Sequence, residues 1–240
     1  MRVVISQSMY FPWVGMLEQI RLADVFIHYD DVQFTRRAFS HRIKVKTPNG
    51  TSWMTVPLQE HSRGPAIDEV KIQPPTVWAD RHLALLDASI RGAPFEEDAK
   101  EIARSVLQVE HETVRDVARA SMLSLCRYFE IDRTTRFVDS RDLGIGGSGS
   151  DRILNLVQAV GGTDYVTGHG ARNYLDHEMF EAKGISVSYM DYQCTPYPQL
   201  HGPFTPYVTA LDLVANCGRD GIRSIASGTR NWKEFTDGSS

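Results

Sequence analysis

The 240-residue chain is poor in several things that would have classified it at once. It has three cysteines, Cys126, Cys194 and Cys217, odd in number and far apart. That excludes a disulfide framework and fits free thiols in a reducing cytoplasm, where the protein is expected to reside. No run approaches the roughly 18 apolar residues of a membrane span, and the opening MRVVISQSMYFPW has no apolar core or small-residue cleavage site of a signal peptide. HxxxH, CxxC and HExxH spacings are missing, so no metal is expected. The glycine-rich run GIGGSGS (144–150) lacks the Gly-Lys-Ser/Thr ending of a phosphate loop and does not match GxGxxG, and reads as a flexible connection. Positive charge is not in excess either. Twenty-six Lys and Arg stand against 30 Asp and Glu, a net charge of −4, which argues against general nucleic-acid binding.

What is present is ordinary for a folded protein: 42% hydrophobic and 23% charged residues, enough apolar surface to build a core. Arg2 to Ser6 is a short β-branched run, Met16 to Ala23 has helical spacing, and Val25 to Tyr29 is a second strand. Strand, crossover helix and strand make a βαβ unit. Residues 42–58 alternate around a Pro48-Asn49-Gly50 turn and predict a β-hairpin. Val70 to Gln73 reads as a brief strand, residues 77–130 as mostly helical, and Phe137-Val138 as a strand. Ser150 is the expected cap of a helix over 151–160. Strands follow at 165–167 and 185–190, with helices at 177–182 and from Ala210 to a stop at Gly218. The fold expected is α/β: a Rossmann-like, mostly parallel sheet with an inserted β-hairpin and a helical segment. It forms a single domain over 1–235, with the helical subregion at about 77–130 and an unstructured tail at 236–240.

Ligands of open α/β sheets bind beyond the carboxyl ends of the strands. Two polar-aromatic stretches follow such ends: Gln7, Tyr10 and Trp13, and then Asp30, Asp31, Gln33, Arg36, Arg37, His41, Arg42 and Lys44. Five cationic or titratable bases fall between residues 36 and 44, a plausible seat for a phosphate or carboxylate. A solvated basic face is the plainer alternative for any one of them. A second cluster is Gly168, His169, Gly170, Arg172 and Tyr174, in which the glycines permit close backbone approach to a ligand and the imidazole can carry a proton. A structural histidine is the commoner case. Cys194, beside Tyr192, Tyr197 and Gln199, is a conceivable nucleophile with His169 or His201 as base, but nothing local lowers its pKa.

The run Gln7-Ser8-Met9-Tyr10-Phe11-Pro12-Trp13-Val14-Gly15 resembles the QPxYFPWxG opening of WbqC-like proteins. ADVFIHYDDVQFTRRAF (23–39), HRIKV (41–45), YVTGHGARNYLD (165–176), Tyr197-Pro198-Gln199 and ALDLVANCG (210–218) are similar to that family's later blocks, in order. Ser8 stands where proline is usual, which would loosen the turn after the first strand, and His41 where asparagine is usual, which would add a switchable charge. The resemblance implies a role in bacterial O-antigen, sugar or secondary-metabolite biosynthesis, with transfer of glycine to an amino sugar as the suggested chemistry.

The expectation is therefore a transferase that moves an acyl or aminoacyl group, for instance glycyl, onto an amine of a sugar or other small metabolite, without a cofactor. Its partners would be that acceptor and an activated donor: a thioester, an aminoacyl-tRNA or an adenylate. His169 is the first candidate base, with Asp30 and Asp31 behind it. Gln7, Gln199 and backbone N–H groups at 168–170 are candidate oxyanion donors, and Arg36, Arg37 and Arg42 the anion clamp. Nucleotidyl or adenylyl transfer, and a non-catalytic ligand-binding role, are the alternatives.

Overall fold

The computed structural model describes residues 1–61 and 64–237. Six strands make one sheet: β1 (Arg2–Ser6), β2 (Val25–His28), β5 (Arg136–Asp139), β6 (Asp164–Thr167), β7 (Ser186–Met190) and β8 (Thr229–Asn231). Their order is β5-β2-β1-β6-β7-β8, parallel throughout except for antiparallel β8. The Rossmann-like expectation is met. The hairpin is met too: β3 (Arg42–Thr47) and β4 (Gly50–Thr55) pair as a separate two-stranded sheet.

A parallel sheet covered on both faces needs apolar side chains on both. Val3, Ile5, Val25, Ile27, Val187 and Tyr189 face α5 (Gly149–Ala159) and α6 (His177–Ala182), meeting Leu156, Val157 and Phe180. Val4, Phe26 and Val166 face the other way, onto Leu17 and Ile20 of α1 (Val14–Arg21). That second core extends without a break through α2 (Ala79–Ile90), α3 (Glu96–Leu107), α4 (Val114–Tyr128), α7 (Ala210–Cys217) and the inner face of the hairpin, Ile43, Val45 and Met54. Thr113 and Asp116 start α4 with a reciprocal capping box.

Four local expectations are corrected. Residues 70–73 form no strand, only isolated bridges from Ile72 to Leu58 and from Lys71 to Thr113. Ser150 lies inside α5, so Ser148 occupies the cap position, and the Ser150 hydroxyl instead accepts from the Asp176 amide at 2.9 Å. Ser8 does not loosen its turn. It is fully buried, its amide donates to Asp30 Oδ1 at 2.8 Å, and its hydroxyl donates to Asp30 Oδ2 at 2.7 Å. The expected tail begins too early, because Thr236 and Asp237 belong to α8 (Trp232–Asp237); residues 238–240 lie outside the described residues.

Candidate functional site

The chain builds β1, β2 and β5 outward on one side, then returns to lay β6 and β7 on the other side of β1. The sheet therefore reverses direction between β1 and β6, which is where a doubly wound fold opens a crevice. Gln7 follows β1 there, half-buried, and Gly168 follows β6. A Cβ on Gly168 would fall 2.5 Å from Nε2 of Gln19, which places the end of that α1 side chain close to this backbone. Gln19 is not among the site residues that the sequence singles out.

His169 is exposed, and its Nε2 lies 2.7 Å from the Met190 carbonyl at the end of β7. A carbonyl only accepts, so Nε2 carries a proton, and whenever the ring is neutral the lone pair is on Nδ1. That is the tautomer a proton acceptor needs. Phe235 flanks the ring at 4.8 Å between centroids, and Arg172 extends over the same phenyl group at 5.9 Å.

The turn between β1 and α1 supplies an aromatic wall. Trp13 meets Tyr192 at 5.7 Å and Tyr207 at 5.0 Å between ring centroids. Tyr192 follows β7, and Tyr207 precedes the Thr209 that bridges back to Trp13. Cys194 sits in this group, with both it and Tyr207 in left-handed backbone, and its thiol pushes the Tyr207 hydroxyl pKa up. Of its two candidate bases, His169 has Nε2 bonded to the Met190 carbonyl, and His201 has Nε2 bonded to the Ser89 carbonyl at 2.8 Å.

The carboxylates are tied down. Asp30 is fully buried, bonded by Ser8 and by Arg119 Nε at 2.7 Å, while Arg119 Nη1 also holds Asp139 at 2.6 Å. His28 closes this network, its Nδ1 2.9 Å from the Ser8 hydroxyl, and burial lowers its pKa to about 3, so it is neutral. Burial raises the Asp30 pKa, opposed by Arg119. Asp31 pairs with Arg152 and accepts from Ser140 Oγ at 2.6 Å. Both aspartates hold the carboxyl end of β2 together rather than standing free as bases. Arg119 and His28 lie 89 and 20 residues from their Asp30 and Ser8 partners, a separation no local motif signals.

The other residues do not converge on His169. Tyr10 is a core side chain, fully buried with its hydroxyl 2.8 Å from His82 Nδ1. Gln33 is exposed and bridges to Ala66, and Tyr174 is exposed with its carbonyl near Ser150 Oγ. Arg36 and His41 line a separate cavity of about 510 Å³ with Leu58, Gln59, Glu60 and His61. His41 adds no charge there near neutrality, because burial lowers its pKa to about 4. Arg37 is exposed, and its carbonyl accepts from Arg42 Nη2 at 2.8 Å. Arg42 and Lys44 flank Trp53 on the outer face of the hairpin. Tyr197 is buried against Asp212 at 3.0 Å, and Gln199 Oε1 accepts from Lys46 at 3.1 Å. Lys46, 3% exposed, also donates to the Gly202 and Pro203 carbonyls. Tyr197 and Gln199 thus anchor the segment preceding α7, and burial raises the Asp212 pKa to about 6. Among the described residues, no His, Cys, Asp or Glu cluster suits a metal ion, and no helix is long and apolar enough to cross a membrane.

Comparison with known proteins supplies the relationship. No solved structure matches the chain. The "Uncharacterized protein Rv1507c" of Mycobacterium tuberculosis (strain ATCC 25618 / H37Rv) is 35% identical over 221 residues, spanning 91% of this chain and 95% of that protein. The model of the WbqC-like protein family matches residues 7–224, which include the aromatic turn, the hairpin and His169. The chain belongs to the WbqC-like protein family.

Proposed function

We propose that this protein is a small-molecule transferase that moves an acyl or aminoacyl group, such as glycyl, onto an amine of a sugar or related metabolite. The reaction centre lies in the crevice between β1 and β6. The observation that carries this reading is the His169 ring, fixed by the Met190 carbonyl with Nδ1 left to accept a proton. In the step assigned to it, Nδ1 takes a proton from the acceptor ammonium and the freed nitrogen attacks the donor carbonyl carbon. The tetrahedral oxyanion then collapses: the carbonyl re-forms, the donor's leaving group departs with its electron pair and takes up the second proton shed by the attacking nitrogen, and Nδ1 returns its own proton to solvent. Gln7, the Gln19 amide and backbone N–H groups at 168–170 are the oxyanion donors available in the same crevice. Trp13 and Tyr192 form an apolar wall beside it.

Arg36 lines the separate cavity beside His41, Arg37 is exposed and Arg42 lies over Trp53 on the hairpin, so the anion clamp acts on a remote part of a substrate, away from the reacting carbon. Nucleotidyl transfer draws support from the strand order alone. The test is transfer of labelled glycine from a glycyl thioester, a glycyl-adenylate and glycyl-tRNA to a panel of amino sugars. Turnover that falls about 10²–10⁴-fold in His169→Ala is the expected outcome. Turnover unchanged in that variant would remove the assignment, and pyrophosphate release from ATP without glycine transfer would favour the nucleotidyl reading.

A further inference from the structure

The hairpin presents two different faces. Ile43, Val45 and Met54 point into the core, while Arg42, Lys44, Trp53 and Thr55 share the outer face, with Lys44 directly opposite Trp53. A solvated outer face needs no tryptophan, yet Trp53 is 41% exposed. It borders a cavity of about 740 Å³ between β4 and α2, whose walls include Thr55, Val77, Trp78, Arg81 and Leu85. That volume lies in the range of about 300–1,000 Å³ usual for small-molecule sites, and an apolar wall with few polar groups is their usual composition.

The charge pattern is as specific as the shape. Arg42 lies 4.1 Å from the Trp53 ring centroid and Lys44 5.3 Å from it. Among the described residues, neither of them nor Arg81, Arg36 or Arg37 forms an ion pair, although the protein carries an excess of acidic groups. Elsewhere cations meet carboxylates closely: Lys100 contacts Asp87, Glu96 and Glu97, and Arg119 contacts Asp30 and Asp139. Arg42 Nε is moreover buried with no hydrogen-bond partner. His82 and Trp78 contribute ring surface only, since both His82 nitrogens and the Trp78 indole N–H are engaged within the protein. An aromatic surface edged by uncompensated guanidinium groups suits a ligand that joins a flat ring to phosphates.

We infer that this cavity binds a nucleoside diphosphate moiety, the base against Trp53 and the phosphates on Arg81 and Arg42. Nucleotide-linked sugars and coenzyme A thioesters both carry that moiety. The site is independent of the role given to His169, and it is tested by binding alone. Titration calorimetry of the whole chain with ADP, UDP and coenzyme A is the experiment, on the wild type, Trp53→Ala, Arg81→Ala and a control, Arg219→Ala. Thermal melts establish that each variant is folded, which the exposure of Trp53 and Arg81 favours. Saturable binding of at least one ligand, weakened at least about tenfold in both cavity variants and unchanged in the control, is expected. Coenzyme A binding more tightly than ADP and UDP would identify a coenzyme donor, and UDP binding more tightly a sugar nucleotide; either ranking supports the site. No saturable binding by any of the three, or affinities unaltered in Trp53→Ala or Arg81→Ala, would overturn it. Failure here leaves the transfer reading standing, because turnover is not measured.

Discussion

Gly15 lies directly beneath the indole of Trp13: a Cβ at Gly15 would overlap Cη2, Cζ3 and Cζ2 of that ring. The tryptophan can fold back over the first turn of α1 only because residue 15 has no side chain, and there it reaches Tyr192 and Tyr207. Gly15→Ala forces the ring off this position. We expect a loss of about 1–3 kcal/mol in chemical denaturation, in line with overpacking of a filled site. The near-ultraviolet circular dichroism of the aromatic group should change with it. An unaltered spectrum and midpoint would show that Trp13 has another place to go.

The Ser8–Asp30–Arg119 network makes a second prediction. Asp30→Ala strips the half-buried Arg119 of its fully buried carboxylate partner, and breaking a buried pair from one side costs about 3–5 kcal/mol. Ser8→Ala removes two hydroxyl contacts and should cost less, about 1–3 kcal/mol. Denaturant unfolding of both variants checks the ranking, and equal losses would contradict it.

Acid stability follows from buried neutral histidines. His28 has its pKa lowered to about 3, and His41 and His82 to about 4, all chiefly by burial. Unfolded, each titrates near 6.5, so below that pH the unfolded chain binds more protons and stability falls as pH drops toward 4. Asp212 works the other way: with its pKa raised to about 6, the folded protein gains that proton first and offsets part of the loss between pH 6 and 4. The unfolding free energy should therefore decline from pH 7 to pH 4.5. His41→Asn should flatten the decline by about one proton, roughly 1.4 kcal/mol per pH unit. An unchanged slope in that variant would mean His41 titrates normally in the fold.

Lys46 makes a fourth test. Its ammonium bonds Gln199 Oε1 and the Gly202 and Pro203 carbonyls, holding the segment that leads to Tyr207. Lys46→Met keeps the stem and removes three charge-assisted bonds, so hydrogen exchange should quicken at Thr205, whose amide is bonded to Gln199. Unchanged protection there would show that Gln199 holds the loop without the lysine.

Much of this architecture is legible along the chain, because β1, β2, the hairpin and α4 announce themselves by period, turn residues and caps. Thr229–Asn231 does not: three exposed polar residues are a strand only through pairing with β7. The site was legible in part. Gly168 and His169 stand out locally, whereas Gln19 becomes a crevice residue only when β6 is laid beside β1. Tyr10 misled for the opposite reason, since a tyrosine next to a polar turn looks like a binding group until His82, 72 residues away, takes its hydroxyl into the core. The arginines at 36–42 read as one clamp with His169 because sequence shows charge but not which side of the fold carries it.

The central claim is that His169 presents Nδ1 as a proton acceptor. The most direct measurement is the nitrogen chemical shifts of its imidazole by nuclear magnetic resonance at pH 7.5, assigned by comparison with His169→Gln. The account requires a neutral ring with the proton on Nε2, held by the Met190 carbonyl, and Nδ1 unprotonated. A ring carrying its proton on Nδ1, or one averaging freely between tautomers, would contradict it.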